Sequence, residues 1–573
     1  MKEKKHIVLP LVLVSLVVIM IFVFAGMLFL MGNRETEDDD GYDFGMYDVG
    51  RGIEADVAWY QAGQDSYYIS TMEELAGLSR LVNEGNAFEG KTIYLTNDLI
   101  DSERIDPIGT KMHPFSGRFD GMGYKVMYTY DLAEGNNAYG GMFGYTEGAE
   151  ICNVGVLAAS FLGTEANGGL IGYAVDTDIK QCFFDGDILA SGANTGGLVG
   201  YAEGCRFEGC YTTGFSNGTG TISYGDDAFW GGFVGYAKNC EFNCCFSDVD
   251  AGYMGENVEY SPFGVAVGKA VDCKAEQFYF ATENGYMKGC GTGEDLPKGF
   301  IEITGYEMSV LKALQEMNAN GEAQWQYEVS SGGSYMHVIE PRLQSSHHSK
   351  GEVYSLDNSV LGIAGEYVVR PATEKELQQY GTEEIIEIET APELAAVVVD
   401  CMQGNSFAGT TILLMDDLDL EGYQWLPLGN YYAADNGIMG QSWDFCGNID
   451  GLGHKIKNLY IHTGNGTCGF VGQSGYGNVR IQNLTIENCY IRGAMYVSGM
   501  VGSDHSTDLV LYNNRVSGRI EGNFSSAFAT MCGNVYLEDC EAKVTLKDGG
   551  ESEGLTVRSG VINTKNCSYT EIP

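Results

Sequence analysis

GGMFGY (Gly140–Tyr145), GGLIGY (Gly168–Tyr173), GGLVGY (Gly196–Tyr201) and GGFVGY (Gly231–Tyr236) are four versions of one hexapeptide, and their starts lie 28, 28 and 35 residues apart. A recurrence of that length is the signature of a solenoid, a propeller or an array. No helical periodicity runs between the motifs. Stretches such as CFFDGDILASG from Cys182 and CYTTGFSNGTG from Cys210 alternate side-chain types and break at Gly, Asn and Asp, as short strands and turns do. Three short strands and three turns per unit make one coil of a parallel β-helix, stacked about 4.8 Å above the last. Glycine is needed where such a chain turns with positive φ or passes close to its neighbours. The apolar residue between the glycines then points inward.

The cysteines test this register independently. Counted from the second glycine of each motif (Gly141, Gly169, Gly197, Gly232), Cys182, Cys210 and Cys245 all fall 13 residues on. With Gly264–Gly268 taken as a degenerate fifth motif, Cys205, Cys240 and Cys273 all fall 8 residues on. Tyr145, Tyr173, Tyr201 and Tyr236 fall 4 residues on and form a third column. The chain has 16 cysteines, which in an exported protein suggests disulfides. A metal site and buried thiols acting as small hydrophobes are the other readings. No CxxC pair occurs, the 8 histidines are too sparse for zinc, and parallel stacking does not favour disulfide geometry, so core ladders are expected. No motif calls for a cofactor.

A larger regularity lies over the first. FSGRFDGMGYKV (115–126) recurs as FCGNIDGLGHKI (445–456), and residues 73–99 match residues 392–418 at an offset of 319. One module is therefore present twice. Each copy begins with a segment that is apolar at helical spacing, which reads as a short helix capping the open end of the solenoid core. In copy one, Met308 to Asn318 reads as a further helix and is followed by a Trp-bearing strand, together expected to close the far end. Copy two shows no matching element before Pro573, so its last coil is expected to be open or otherwise capped.

The first fifty residues bear on the compartment. Lys2, Lys4 and Lys5 precede 25 uncharged residues from Ile7 to Met31, long enough to cross a bilayer. The lysine bias puts the N-terminus in the cytoplasm and all that follows Gly32 outside; a long cleaved signal is the alternative. The expected organisation is residues 1–6 cytoplasmic, 7–31 a transmembrane signal anchor, 32–67 an acidic, glycine-rich stalk, 68–343 the first module with its caps, 344–384 a linker and 385–573 the second module. The fold class expected is mostly β: two parallel β-helix modules with short capping helices behind one membrane helix. A formal charge of −45 argues against nucleic acid as a partner.

The glycine motifs resemble those of the GLUG-motif repeat proteins of bacterial surfaces. Gly169-Leu170-Ile171-Gly172 and Gly197-Leu198-Val199-Gly200 fit the Gly-Leu-aliphatic-Gly pattern directly. The runs Gly141 to Gly144, Gly232 to Gly235, Gly469 to Gly472 and Gly499 to Gly502 fit it with conservative changes. The resemblance implies a right-handed parallel β-helix on an exported, adhesin-like protein. Some such proteins carry a zinc peptidase domain, but the His-Glu-x-x-His run it needs is missing from this sequence.

Function is less legible. Asp185 with Asp187, and Asp248 with Asp250, are the paired carboxylates that a glycosidase or lyase would use, though acidic residues on an outward strand face are ordinary background here. The leading expectation is a membrane-anchored extracellular protein that binds or adheres to a glycan or protein. A carbohydrate-active enzyme and a non-binding envelope spacer are the alternatives. The candidate ligand-binding residues are Tyr145, Tyr173, Tyr201 and Tyr236, read either as a flat strip of rings suited to sugars or as a ladder that only stabilises the coils. Strand alternation puts Ile171 and Tyr173 on one side and Leu170 and Gly172 on the other.

Overall fold

A computed structural model describes residues 52–129, 138–160, 164–186, 194–215, 229–250, 263–282, 288–292, 295–304, 307–331, 337–344, 351–431, 442–464, 466–475, 477–547, 551–552 and 554–572. The expected membrane segment and the start of the stalk lie outside these residues. Among the described residues no helix is long and apolar enough to cross a membrane.

The glycine period becomes strand pairing. Ile151 lies beside Ile179, Ile179 beside Phe207, and Phe207 beside Phe242, each pair parallel and one coil apart. These steps are the 28, 28 and 35 residues of the hexapeptides. The described strands of the first module join into parallel sheets of 14 and 10 strands, and those of the second into sheets of 11, 7 and 4. This is the pairing pattern of a parallel β-helix. In the second module, Ile412, Ile449, Ile481, Leu511 and Leu537 stack in register as one inward column, and all five are buried.

The glycines mark the one corner where no side chain fits. A β carbon on Gly168, Gly196, Gly231 or Gly264 would stand 2.1–2.2 Å from the carbonyl oxygen three residues on. The last glycine of the motif meets the coil beneath it instead: 2.5 Å from the Asn167 amide for Gly200, 2.6 Å from the Gly200 carbonyl for Gly235, 2.5 Å from the Cys468 amide for Gly502. Between them, Gly169 donates its amide to Gly197 at 2.8 Å, and Gly197 donates to Gly232 at 3.1 Å. The motif is thus a close-packed backbone corner repeated once per coil.

Both cysteine columns are inward and buried. All sixteen thiols are unbridged. Their protons go to nearby carbonyls, as from Cys182 Sγ to Lys180 at 3.3 Å and from Cys240 Sγ to Lys238 at 3.3 Å. Burial pushes the Cys152 thiol up to about 12, so the thiolate form is suppressed.

The caps form where the helical spacing places them. Met72–Asn83 buries Leu75, Leu78 and Val82, and Thr71 accepts from the Glu74 amide at its start. Ala391–Cys401 buries Leu394, Val397 and Val398 and begins with a capping box of Thr390 and Glu393.

The closing element departs from expectation. The helix Glu307–Asn320 forms, but it lies along the side of the first solenoid rather than across its end. It packs with Phe183, Tyr211, Phe246 and Tyr279, an outward column that spans four coils. Residues 352–380, within the stretch expected to be a linker, carry the strand Glu352–Ser355 and the helices Val360–Ile363 and Glu374–Tyr380. Leu356, Val360 and Leu361 are buried there, and one apolar cluster runs from Phe183 through this segment into the second solenoid. Val49–Pro573 accordingly forms one compact unit.

Candidate functional site

The tyrosine column stacks as its spacing requires. Tyr145 lies beside Tyr173, Tyr173 beside Tyr201, and Tyr201 beside Tyr236. Ring centroids are 4.9, 4.3 and 4.9 Å apart, with planes within 5°, 11° and 6° of parallel. The column faces outward, apart from both main cores, with Tyr145 and Tyr139 buried in a small cluster at one end. Tyr139 meets Tyr145 and Tyr173 edge-on at 5.3 Å. Phe229 lies 5.4 Å from Tyr236 at the other end, and Lys269, the next rung after Tyr236, sits 5.0 Å over the Phe229 ring.

Two corrections follow. Ile171 and Tyr173 do not share a side, because Ile171 is wholly buried with Leu170 while Tyr173 is half-buried and outward. Gly172 marks the interruption of the alternation: a β carbon there would stand 2.9 and 3.0 Å from the Gly140 and Gly144 carbonyls of the coil below. The column is also not a flat strip. Rings stacked face to face spend their faces on one another, so they offer the outside only edges and phenol oxygens. Burial raises the Tyr145, Tyr173 and Tyr201 phenols, and Tyr139, which donates to Glu165 at 3.0 Å, is pushed up to about 12. The column thus presents a row of phenol hydroxyls. Beside it runs Glu147, Val175, Glu203 and Lys238, with Lys238 paired to Glu203 at 2.7 Å.

The acidic pair meets a different fate. Asp185 is 6% exposed and lies 3.7 Å from Arg342, itself wholly buried. Arg342 also holds Glu328 at 2.6 Å and pairs with Glu340, and its guanidinium stands 6.0 Å from the Tyr211 ring centre. Asp185 is therefore a counter-ion that ties the lateral cover to the coils. Asp248 lies two rungs away, with Thr213 between. Asp187 lies outside the described residues. Among the described residues no group of three or more His, Cys, Asp or Glu is placed to hold a metal ion.

Two features of the second module escape the sequence reading. The first is a polar latch where residues 352–355 meet the coils. Tyr460 donates to Glu352 at 2.6 Å, the Tyr354 and Tyr460 hydroxyls lie 2.9 Å apart, and His462 Nδ1 lies 3.2 Å from Glu352. Against partial desolvation, hydrogen bonds from Tyr354, Tyr460 and His462 hold the half-exposed Glu352 carboxyl down to about 2. The second is an open groove along the sheet that contains Asn478–Gln482, Val501–Tyr512 and Cys532–Glu538. Two hollows of about 500 and 770 Å³ share Arg480, Gln482, Val510 and Tyr536. Nothing in the one-letter pattern marks this groove, because the outward residues that line one column of it, Arg480, Val510 and Tyr536, do not repeat from coil to coil.

Comparison with known proteins adds little. No family model matches the chain. A segment of 80 residues is 40% identical to part of Halomucin from Haloquadratum walsbyi, a match that covers 14% of this chain and 1% of that protein. The chain therefore spans about 1% of the length of that curated relative. The surface protein and adhesin PfbA of Streptococcus pneumoniae aligns over 88% of this chain and 92% of its own with 10% identity and a TM-score of 0.17. At that score the fold rests on the strand pairing alone.

Proposed function

We propose that this chain is a surface-displayed binding protein: a right-handed parallel β-helix of the GLUG-motif kind, anchored by Ile7 to Met31, with everything after Gly32 outside the cell. Its ligand is an extended glycan lying along the tyrosine column of the first module. One observation carries this reading. Tyr145, Tyr173, Tyr201 and Tyr236 form a register-locked outward row that no described element covers as the helix Glu307–Asn320 covers its neighbour. Phenols repeated at the strand spacing suit the hydroxyls of a polymer that repeats along its own axis. The uncharged run and its flanking lysines support the anchor.

A glycan and protein array probed with the full chain tests the binding. Capture of glycans, lost when Tyr173 and Tyr201 are both changed to Ala while the melting temperature falls by no more than about a few degrees, supports the site. Capture of proteins alone moves the ligand class, turnover of a polysaccharide moves the protein to the enzymes, and silence on every probe leaves a spacer. For the anchor, membranes washed with carbonate should retain the chain; a soluble form beginning near Gly32 would show a cleaved signal instead.

A further inference from the structure

We propose that the groove of the second module is a separate binding site for a carboxylated glycan, a hexuronate polymer, with Arg480 as its anion anchor and Tyr512 and Tyr536 as its sugar-stacking platforms. The inference goes beyond the reading given for the first module and does not depend on the tyrosine column there.

Arg480 is the starting point. It is exposed at the centre of the groove, in both hollows. Its side chain has no ion pair or hydrogen bond among the described residues, while its backbone amide donates to the Asn448 side-chain oxygen at 3.1 Å. This is unusual in so acidic a chain, where Arg118, Arg206, Arg342, Arg370 and Arg515 each face a carboxylate. The groove's own carboxylates are already occupied. Asp450 is 1% exposed and accepts from Gln482 at 2.6 Å, Tyr380 at 3.1 Å, Asn483 at 3.0 Å and the Leu452 amide at 2.9 Å. Glu538 is paired with Lys565, and Asp508 accepts from Asn534 at 3.1 Å. A free, planar guanidinium is built to take a carboxylate with two parallel hydrogen bonds.

The rings beside it differ from those of the first module. Tyr512 is 39% exposed and Tyr536 is 40% exposed. Their rungs hold no ring: Tyr512 lies between Gln482 and Glu538, and Tyr536 between Val510 and Asn563. Among the described residues no aromatic neighbour takes up their faces, which leaves them for the CH-rich side of a sugar. Arg480 and Tyr536 share a column two rungs apart, roughly 10 Å at the strand spacing. That separation accommodates an extended chain with its carboxylate on Arg480 and a later unit on Tyr536. The net charge of −45 does not forbid an anionic ligand, because salt screens distant charges beyond about 8 Å at physiological ionic strength. The nearby groups decide.

Affinity electrophoresis of the full chain through gels containing polygalacturonate, with amylose gels as the neutral counterpart, tests the proposal. Polygalacturonate should retard the wild type, less so as salt is raised, and amylose should not. Arg480→Ala should weaken retardation about tenfold or more, the usual loss for one hydrogen-bonded charge. Arg480→Lys should restore it only in part, and Tyr536→Ala should weaken it with the melting temperature unchanged. The Tyr173→Ala, Tyr201→Ala double variant should behave as wild type. The proposal is overturned by no retardation of the wild type, by equal retardation in amylose, or by an undiminished Arg480→Ala. Loss in the double tyrosine variant alone would place the polymer on the first module and overturn it as well.

Discussion

The first module carries two outward aromatic columns in the same register, with opposite fates. Tyr145, Tyr173, Tyr201 and Tyr236 stack along one face, with Tyr145 buried at one end and the other three half-open. Phe183, Tyr211, Phe246 and Tyr279 stack along another and lie in the core, under the helix Glu307–Asn320 and the strand Trp325–Ser331. Trp325 meets Tyr211 edge-on at 5.7 Å. Local sequence treats the two alike: large residues at a coil-length spacing. What separates them is a segment that lies up to about 160 positions further along the chain. A column of rings on a solenoid is therefore a surface awaiting a partner. In one case the chain supplies that partner itself.

The largest test breaks the cover. Arg342→Ala would leave Glu328 and Asp185 buried without their cation, a loss of about 3–5 kcal/mol. Hydrogen exchange should then rise across residues 307–343, and a dye that binds apolar surface should report the freed column. Next, Tyr211→Ala removes a wholly buried ring from beneath the cover and should cost about 3–5 kcal/mol in denaturant melts; a cost below about 1 would mean the cover does not rest on this column.

The third test uses pH. Glu307, at the start of the covering helix, is 1% exposed and accepts from the Thr463 hydroxyl of the second module, with Tyr327 and Cys468 also facing it. Burial raises its carboxyl to about 7 from 4.5. The open chain thus releases this proton at lower pH than the folded chain. Stability falls as pH rises from 4.5 to about 7 and stays lower above, by on the order of 3 kcal/mol for a shift of about 2.5 units. Glu307→Gln should flatten this slope in melts taken across that window. Glu352 acts in the opposite sense and lower down, its contribution fading as pH drops below 4.5 toward about 2. The smallest effect belongs to the open column: Tyr173→Ala with Tyr201→Ala should cost only about 1–2 kcal/mol by calorimetry, since half-buried rings lose mainly their mutual stacking. A cost as large as that of Tyr211→Ala would erase the contrast between the columns.

The coil register was legible because glycine and cysteine repeat where sterics leave no choice. Gly200 and Gly235 cannot carry a β carbon, and Cys182, Cys210 and Cys245 share one narrow inward position. The cap helices were legible from apolar spacing and from the capping threonines. Three things were not. Alternation failed at Gly172, where Ile171 stays in the core and Tyr173 faces outward across a close backbone approach to the coil below. The lateral seat of Glu307–Asn320 depends on Arg342 finding Asp185, a contact between residues 157 positions apart in the chain. The groove around Arg480 was hidden for a third reason: among the described residues no carboxylate pairs with that arginine, because those near it are bonded elsewhere, and only coordinates show this.

The buried thiols have a chemical consequence. Fourteen of the sixteen cysteines are buried, and Cys446 and Cys567 are only partly exposed. Oxidants and alkylating agents act on the thiolate, which burial both hides and suppresses. The folded protein is therefore nearly inert as a thiol reagent, whereas the open chain offers sixteen reactive sulfurs at once. Folding and oxidation are in competition. Sulfurs that reach their columns first remain thiols without any reductant, and a chain delayed in folding is diverted into disulfides for which the coils have no place.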